Sequence, residues 1–143
     1  MRTRLLRPVV IGSAAVLAAG VATAATLTSR PVDGPDLAGL SFVSTHVDGH
    51  ELVDGTYVVL AFQDDHLAAT AGCNHLLGPA TWDDGTLVTQ SLATSMMACP
   101  PDLAAQDDWL GALLTERPTL TLTGTTLEVR SGGTTLVLEG ADV

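Results

Sequence analysis

Thr119-Leu120-Thr121-Leu122-Thr123-Gly124-Thr125-Thr126-Leu127-Glu128-Val129-Arg130-Ser131-Gly132-Gly133-Thr134-Thr135-Leu136-Val137-Leu138-Glu139 is the stretch on which the fold class turns. Its first five residues alternate strictly, so both leucines face one side of an extended chain and the threonines face the other, as in a half-buried strand. Gly124 and Ser131-Gly132-Gly133 punctuate the rest. They divide it into strands Thr119–Thr123, Thr126–Arg130 and Thr134–Glu139, a meander.

Upstream the period changes. Between Pro100-Pro101-Asp102 and Pro118, the residues Leu103, Gln106, Leu110, Leu113 and Leu114, joined by Trp109, fall at three-and-four spacing. This predicts one amphipathic helix of about three turns, N-capped by Asp102, with Asp107 and Asp108 on its wet side. Before the helix, turn signals recur between short runs rich in Val, Leu and Thr. They predict strands Leu40–Val47, His50–Val53, Thr56–Gln63, His66–Ala71, Leu76–Trp82 and Thr86–Gln90. Asp48-Gly49, Asp54-Gly55 and Asp84-Gly85 suit tight turns, because glycine accepts positive φ. The expected fold is mainly β with one helix (α+β). It is a small antiparallel β-barrel-like or curved-sheet domain, with the single amphipathic helix lying over the sheet or plugging the open barrel.

The chain has 143 residues, 46% hydrophobic and 15% charged, with 16 acids against 6 arginines and no lysine. One domain is the most this length supports. A net charge of −10 excludes binding to nucleic acid by phosphate neutralisation, and 3% aromatics leaves little for base stacking. Arg2, Arg4 and Arg7 precede an uncharged run from Pro8 to Ser29 that contains Ala22-Thr23-Ala24. Basic start, apolar run and small-residue site together read as a secretory signal over residues 1–25, with an uncleaved single-pass anchor as the rival reading. No cysteine near the cleavage region is available for lipid attachment. Residues 26–36 are expected to be a linker and 37–140 the exported domain. Without the first three arginines, the three that remain against 16 acids leave −13, a charge that repels anionic surfaces.

Cys73 and Cys99 are the only cysteines. An even count in an exported chain favours a disulfide over a reactive thiol. Closing a loop of about 26 residues stabilises by roughly 3.5 kcal/mol on chain-entropy grounds, a large share of the usual 5–15 kcal/mol for a domain.

Around these cysteines lie Gly72-Cys73-Asn74-His75-Leu76-Leu77-Gly78 and Thr94-Ser95-Met96-Met97-Ala98-Cys99. The first resembles the motif G-C-N-x-x-x-G, and the second the signature S-T-x-M-A-C, of the META domain family (HslJ-like exported bacterial proteins). Leu37-x-Gly39, Leu60-x-Phe62, the helix around Trp109-Leu110 and the closing meander follow in the family's order, so the resemblance covers about Leu37 to Glu139. It implies a barrel-like domain with a helix and a bond between the motif cysteines. It gives Gly72, Asn74, Gly78, Met97 and Ala98 a structural role. Members are often exported or lipid-anchored, and some are associated with heat or envelope stress; the family has no established enzymatic activity. There are four departures from the pattern: Phe42 stands where tryptophan is usual, Ala80 where an aromatic is common and Gln106 where a helix glutamate is expected, and Thr94-Ser95 inverts the usual order.

Each sharper chemical reading has a plainer competitor. Cys73, Asn74 and His75 could suggest a thiol nucleophile with its base, but that needs a reduced, activated cysteine. Asn74 is expected to bond a nearby turn backbone. His46, His50 and Glu51 flank one turn, yet zinc needs three or four convergent ligands. Asp64-Asp65, Asp83-Asp84 and Asp107-Asp108 lack the spacing of a calcium loop and read as solvated. Met96-Met97 is expected to pack in the core rather than to hold a soft metal. Trp82 and Trp109 are expected in the core; an exposed Trp82 would mark a partner surface. No catalytic, cofactor or metal site is therefore assigned, and the chain is expected not to be an enzyme. The expectation is a monomeric envelope or secreted module with a stress-related or partner-binding role. Its partner is a protein or envelope component, it touches the membrane only through its N-terminal segment if that segment is uncleaved, and the alternative is a small-ligand or metal-binding β-barrel.

Overall fold

A computed structural model describes residues 33–142. The signal or anchor predicted over residues 1–25 and most of the linker 26–36 lie outside the described residues. From Ser41 the chain runs β1 (Ser41–Asp48), β2 (Val59–Gln63), β3 (His66–Thr70), β4 (His75–Thr81), β5 (Val88–Thr89) and β6 (Ala93–Thr94). Helix α1 (Pro101–Thr115) follows, then β7 (Thr119–Thr123), β8 (Thr126–Ser131) and β9 (Thr134–Ala141). Among the described residues nine strands form one antiparallel sheet in the order β5-β4-β3-β2-β1-β9-β8-β7, with β6 also on β4. The sheet curls into a half-barrel. Its two ends meet where Thr86 bridges Thr119, flanked by bonds from Leu87 N–H to the Pro118 carbonyl (2.9 Å) and from Leu120 N–H to the Gly85 carbonyl (2.7 Å).

The meander takes the register its alternation predicts: Leu120 faces Val129, and Leu127 faces Leu138. Leu120, Leu127, Val129, Leu136 and Leu138 are all buried. They meet Leu60, Phe62 and Leu67 from the other half of the sheet in one core. Phe62 lies at its centre, edge-on to Phe42 (centroids 6.0 Å apart) and to Trp82 (5.1 Å). Trp82 is thus core and not a partner surface. Phe42 and Ala80, two of the positions that depart from the family pattern, are buried as well.

Several predicted elements contract, each where a side chain or another strand takes the backbone bond. His50–Val53 is not a strand; the Val53 N–H donates instead to Gln106 Oε1 of α1 (2.6 Å). β2 begins at Val59 rather than Thr56, the Val58 N–H being taken by Ser44 Oγ (2.8 Å) beside a register shift in β1. Thr86–Gln90 reduces to Val88–Thr89 because Thr86 and Leu87 turn their backbone towards β7.

Helix α1 lays Leu110, Leu113 and Leu114 into the core. It ends where Arg117 takes φ +60° ahead of Pro118. Two details differ from expectation. The N-cap is Pro100, with no side-chain cap bond, while Asp102 Oδ1 accepts only the N–H of Leu103. Asp107 is not on the wet side: it is buried, whereas Asp108 is exposed. Positions 103, 107, 110 and 114 follow the helical period, and the structure obeys that period over the charge.

Candidate functional site: the cysteine clasp

The first cysteine motif turns sharply into β4, with Gly72 at φ +123°, a conformation that side chains oppose. Cys73 then bonds to Cys99 across 6.1 Å between Cα atoms. Gly78 in β4 serves close approach instead, since a Cβ there would collide with the Ser91 carbonyl oxygen of the strand segment leading to β6.

Between the cysteines Asn74 engages its backbone N–H and both polar atoms of its side chain. Its N–H donates to Asp107 Oδ2 (2.8 Å), and its Oδ1 accepts from the Met97 N–H (2.9 Å) and the Ser95 hydroxyl (3.1 Å). Its Nδ2 donates to Cys99 Sγ (3.1 Å). Ser95 and His75 exchange two further bonds of 2.9 Å: Ser95 N–H to the His75 carbonyl, and His75 N–H to Ser95 Oγ. The loop from β6 to α1 is therefore fastened to the start of β4 mostly by side chains.

What the loop presents is unexpected. Met96 is 97% exposed and Met97 58%, so these methionines do not pack in the core as their hydrophobicity suggests. Ala98 is exposed too. Met97 fits the family motif through its backbone N–H, which leaves its thioether free to face solvent.

Asp107 is the residue that sequence reasoning misplaced. It is 4% exposed, and while Oδ2 holds Asn74, Oδ1 has no hydrogen-bond partner. Oδ2 stands 3.8 Å from Cys99 Sγ, a contact and not a hydrogen bond, because a disulfide sulfur carries no hydrogen. Among the described residues, Cys73, Cys99 and Asp107 are the group of three metal-ligating side chains whose donor atoms converge, all within 4.8 Å of one another. Gln106, the neighbouring departure from the family pattern, is equally buried but fully engaged: Nε2 donates to Thr56 Oγ1 (2.8 Å) and to the Ala71 carbonyl.

The other candidates stay apart. His46 Nε2 lies 3.0 Å from Asp48 Oδ1, and His50 stacks flat on Trp109 with centroids 3.9 Å apart. With Glu51 they line an open cleft of about 510 Å³ without converging on a point. Trp109 is only partly buried, and its ring pins the loop after β1 to the helix. Asp64-Asp65 and Asp83-Asp84 occupy turns, as expected. His75 is exposed beside a cysteine that is already bonded, so the nucleophile and base geometry is not formed.

Half-barrel, helix and clasp place both signatures in a single structural unit, and the META domain family model matches residues 35–142. The chain belongs to the META domain family. Two solved structures share this META fold. One NMR structure is 24% identical, with TM-score 0.58, covering 72% of this chain and 90% of its own. Another, of a protein from Burkholderia xenovorans, is 20% identical, with TM-score 0.61, covering 75% and 85%. These likenesses are of fold alone. No protein of curated function matches this META chain.

Proposed function

We propose that this META domain is a non-enzymatic, exported module that docks a protein or envelope component through the Met96–Met97 loop, supporting the cell envelope under stress. One observation carries the reading: an exposed thioether pair stands on a loop that the clasp holds in place. A loop backbone already held in place loses little entropy on binding, and methionine side chains adapt to varied surfaces. Leu77, 53% exposed on the adjoining β4, extends the patch. Residues 85–101 contain no charged side chain in a domain otherwise rich in acids, so the loop meets an apolar partner without desolvating charge. Export is supported by the basic and apolar N-terminus and by the disulfide, which belongs to oxidising compartments. Among the described residues no helix is long and apolar enough to cross a membrane.

The test is site-specific photo-crosslinking in cells expressing the full chain, with the probe at position 96 or at exposed Thr121 on β7. A discrete adduct at 96, absent at 121 and lost in a Met97→Asp background, is expected. Equal labelling at both positions, or none at 96, overturns the docking surface. Intact mass of the mature protein checks export by showing whether residues 1–25 are removed.

A further inference from the structure

We propose that Cys73, Cys99 and Asp107 form a redox-gated site for a thiophilic divalent cation, of which the disulfide is the closed state. The inference rests on atoms other than the Met96–Met97 surface and stands or falls separately from it. Asp107 supplies the first support. A carboxylate 4% exposed, with one oxygen unpartnered, is left half compensated in a medium where that is costly, and coordination of a cation is among the few ways to satisfy such a group.

The donor set supplies the second. Two cysteine sulfurs and a carboxylate oxygen within 4.8 Å of one another are the ligand types zinc prefers. Two thiolates on one tetrahedral zinc, each at about 2.3 Å, stand roughly 3.8 Å apart. The 6.1 Å between the Cα atoms admits that spacing by side-chain rotation. The third support is that the loop does not depend on the S–S bond for its place. Asn74 holds Met97 and Ser95, and Ser95 holds His75, through bonds that reduction leaves intact. Both sulfurs then remain beside Asp107 instead of separating. Each cysteine is partly exposed, so a reductant has access and a fourth coordination position opens to water.

Opening requires a dithiol reductant. Its thiolate attacks one cysteine sulfur, the S–S bond breaks and the other cysteine leaves as thiolate. The reductant's second thiol resolves the mixed disulfide. Two electrons and two protons pass to the protein, and the reductant becomes a cyclic disulfide. Cation binding then displaces both cysteine protons to water, and the cation offsets the Asp107 charge.

Cobalt(II) titrated into the full 143-residue chain, with and without a non-chelating phosphine reductant, tests the site. The reduced chain is expected to bind one cobalt with sulfur-to-metal charge-transfer absorption and tetrahedral visible bands, both abolished by zinc. The unreduced chain is expected to stay silent, and Asp107→Asn to bind about tenfold more weakly or worse. If Asp107→Asn loses its fold by circular dichroism, the parent's infrared difference spectrum replaces it, with a carboxylate band that shifts on metal binding as the expected result. No cobalt spectrum in the reduced chain, a signal without reduction, undiminished affinity in a folded Asp107→Asn, or an unmoved carboxylate band would each overturn the proposal.

Discussion

The meander β7–β9 and the clasp around Asn74 lie in one domain and are held in opposite ways. In the meander the backbone does the fastening, through ladders from Thr119–Arg130 to Ser131–Thr134, and side chains only fill the core. In the clasp the backbone is nearly without a ladder, β6 having two residues, and one asparagine, one serine and one disulfide do the work. A laddered region spreads its stability over many equivalent bonds. A clasped region concentrates it in a few atoms, which makes it a place where a chemical event can have a local consequence.

Five measurements sharpen or break that contrast. Leu136→Ala, buried in the meander, is expected to cost about 2–5 kcal/mol in urea unfolding and to destabilise the whole domain cooperatively. The double change Cys73→Ser with Cys99→Ser is expected to cost about 3 kcal/mol, close to the loop-closure value. Asn74→Ala keeps its backbone bond to Asp107 but strands the Met97 N–H and takes the acceptor from the Ser95 hydroxyl, for an expected loss of about 2 kcal/mol. A double-mutant cycle between Asn74→Ala and Cys99→Ser should show coupling of about 0.5 kcal/mol or more. Strict additivity there would mean that the clasp is not one unit. Met96→Ala is expected to change stability by less than about 0.5 kcal/mol, since its side chain touches little. A larger loss by thermal melting would show that the loop packs after all.

The same contrast explains what could be read from the sequence. Thr119–Thr123 was legible to the residue because a half-buried ladder stamps a period of two on its side chains. The helix was legible for the same reason at a longer period. Asp107 escapes such a reading because its charge points to solvent while its place in that period points inward. β6 and the exposure of Met96 left no such mark: the bonds that set them run from Asn74 across about twenty residues, and spacing along the chain does not encode them. Likewise, the strand expected at His50–Val53 gave way because the buried Gln106 offered the Val53 N–H a partner that no strand pattern announces.

The first and last strands are neighbours: β1 pairs with β9 from Ser41 opposite Ala141 to Asp48 opposite Thr135. A chain synthesised N-terminus first therefore carries β1 without its longest partner until β9 follows. Contacts of such long sequence separation make folding slow and late. The half-barrel therefore closes only once β9 is available to β1, however early the strands between them have paired.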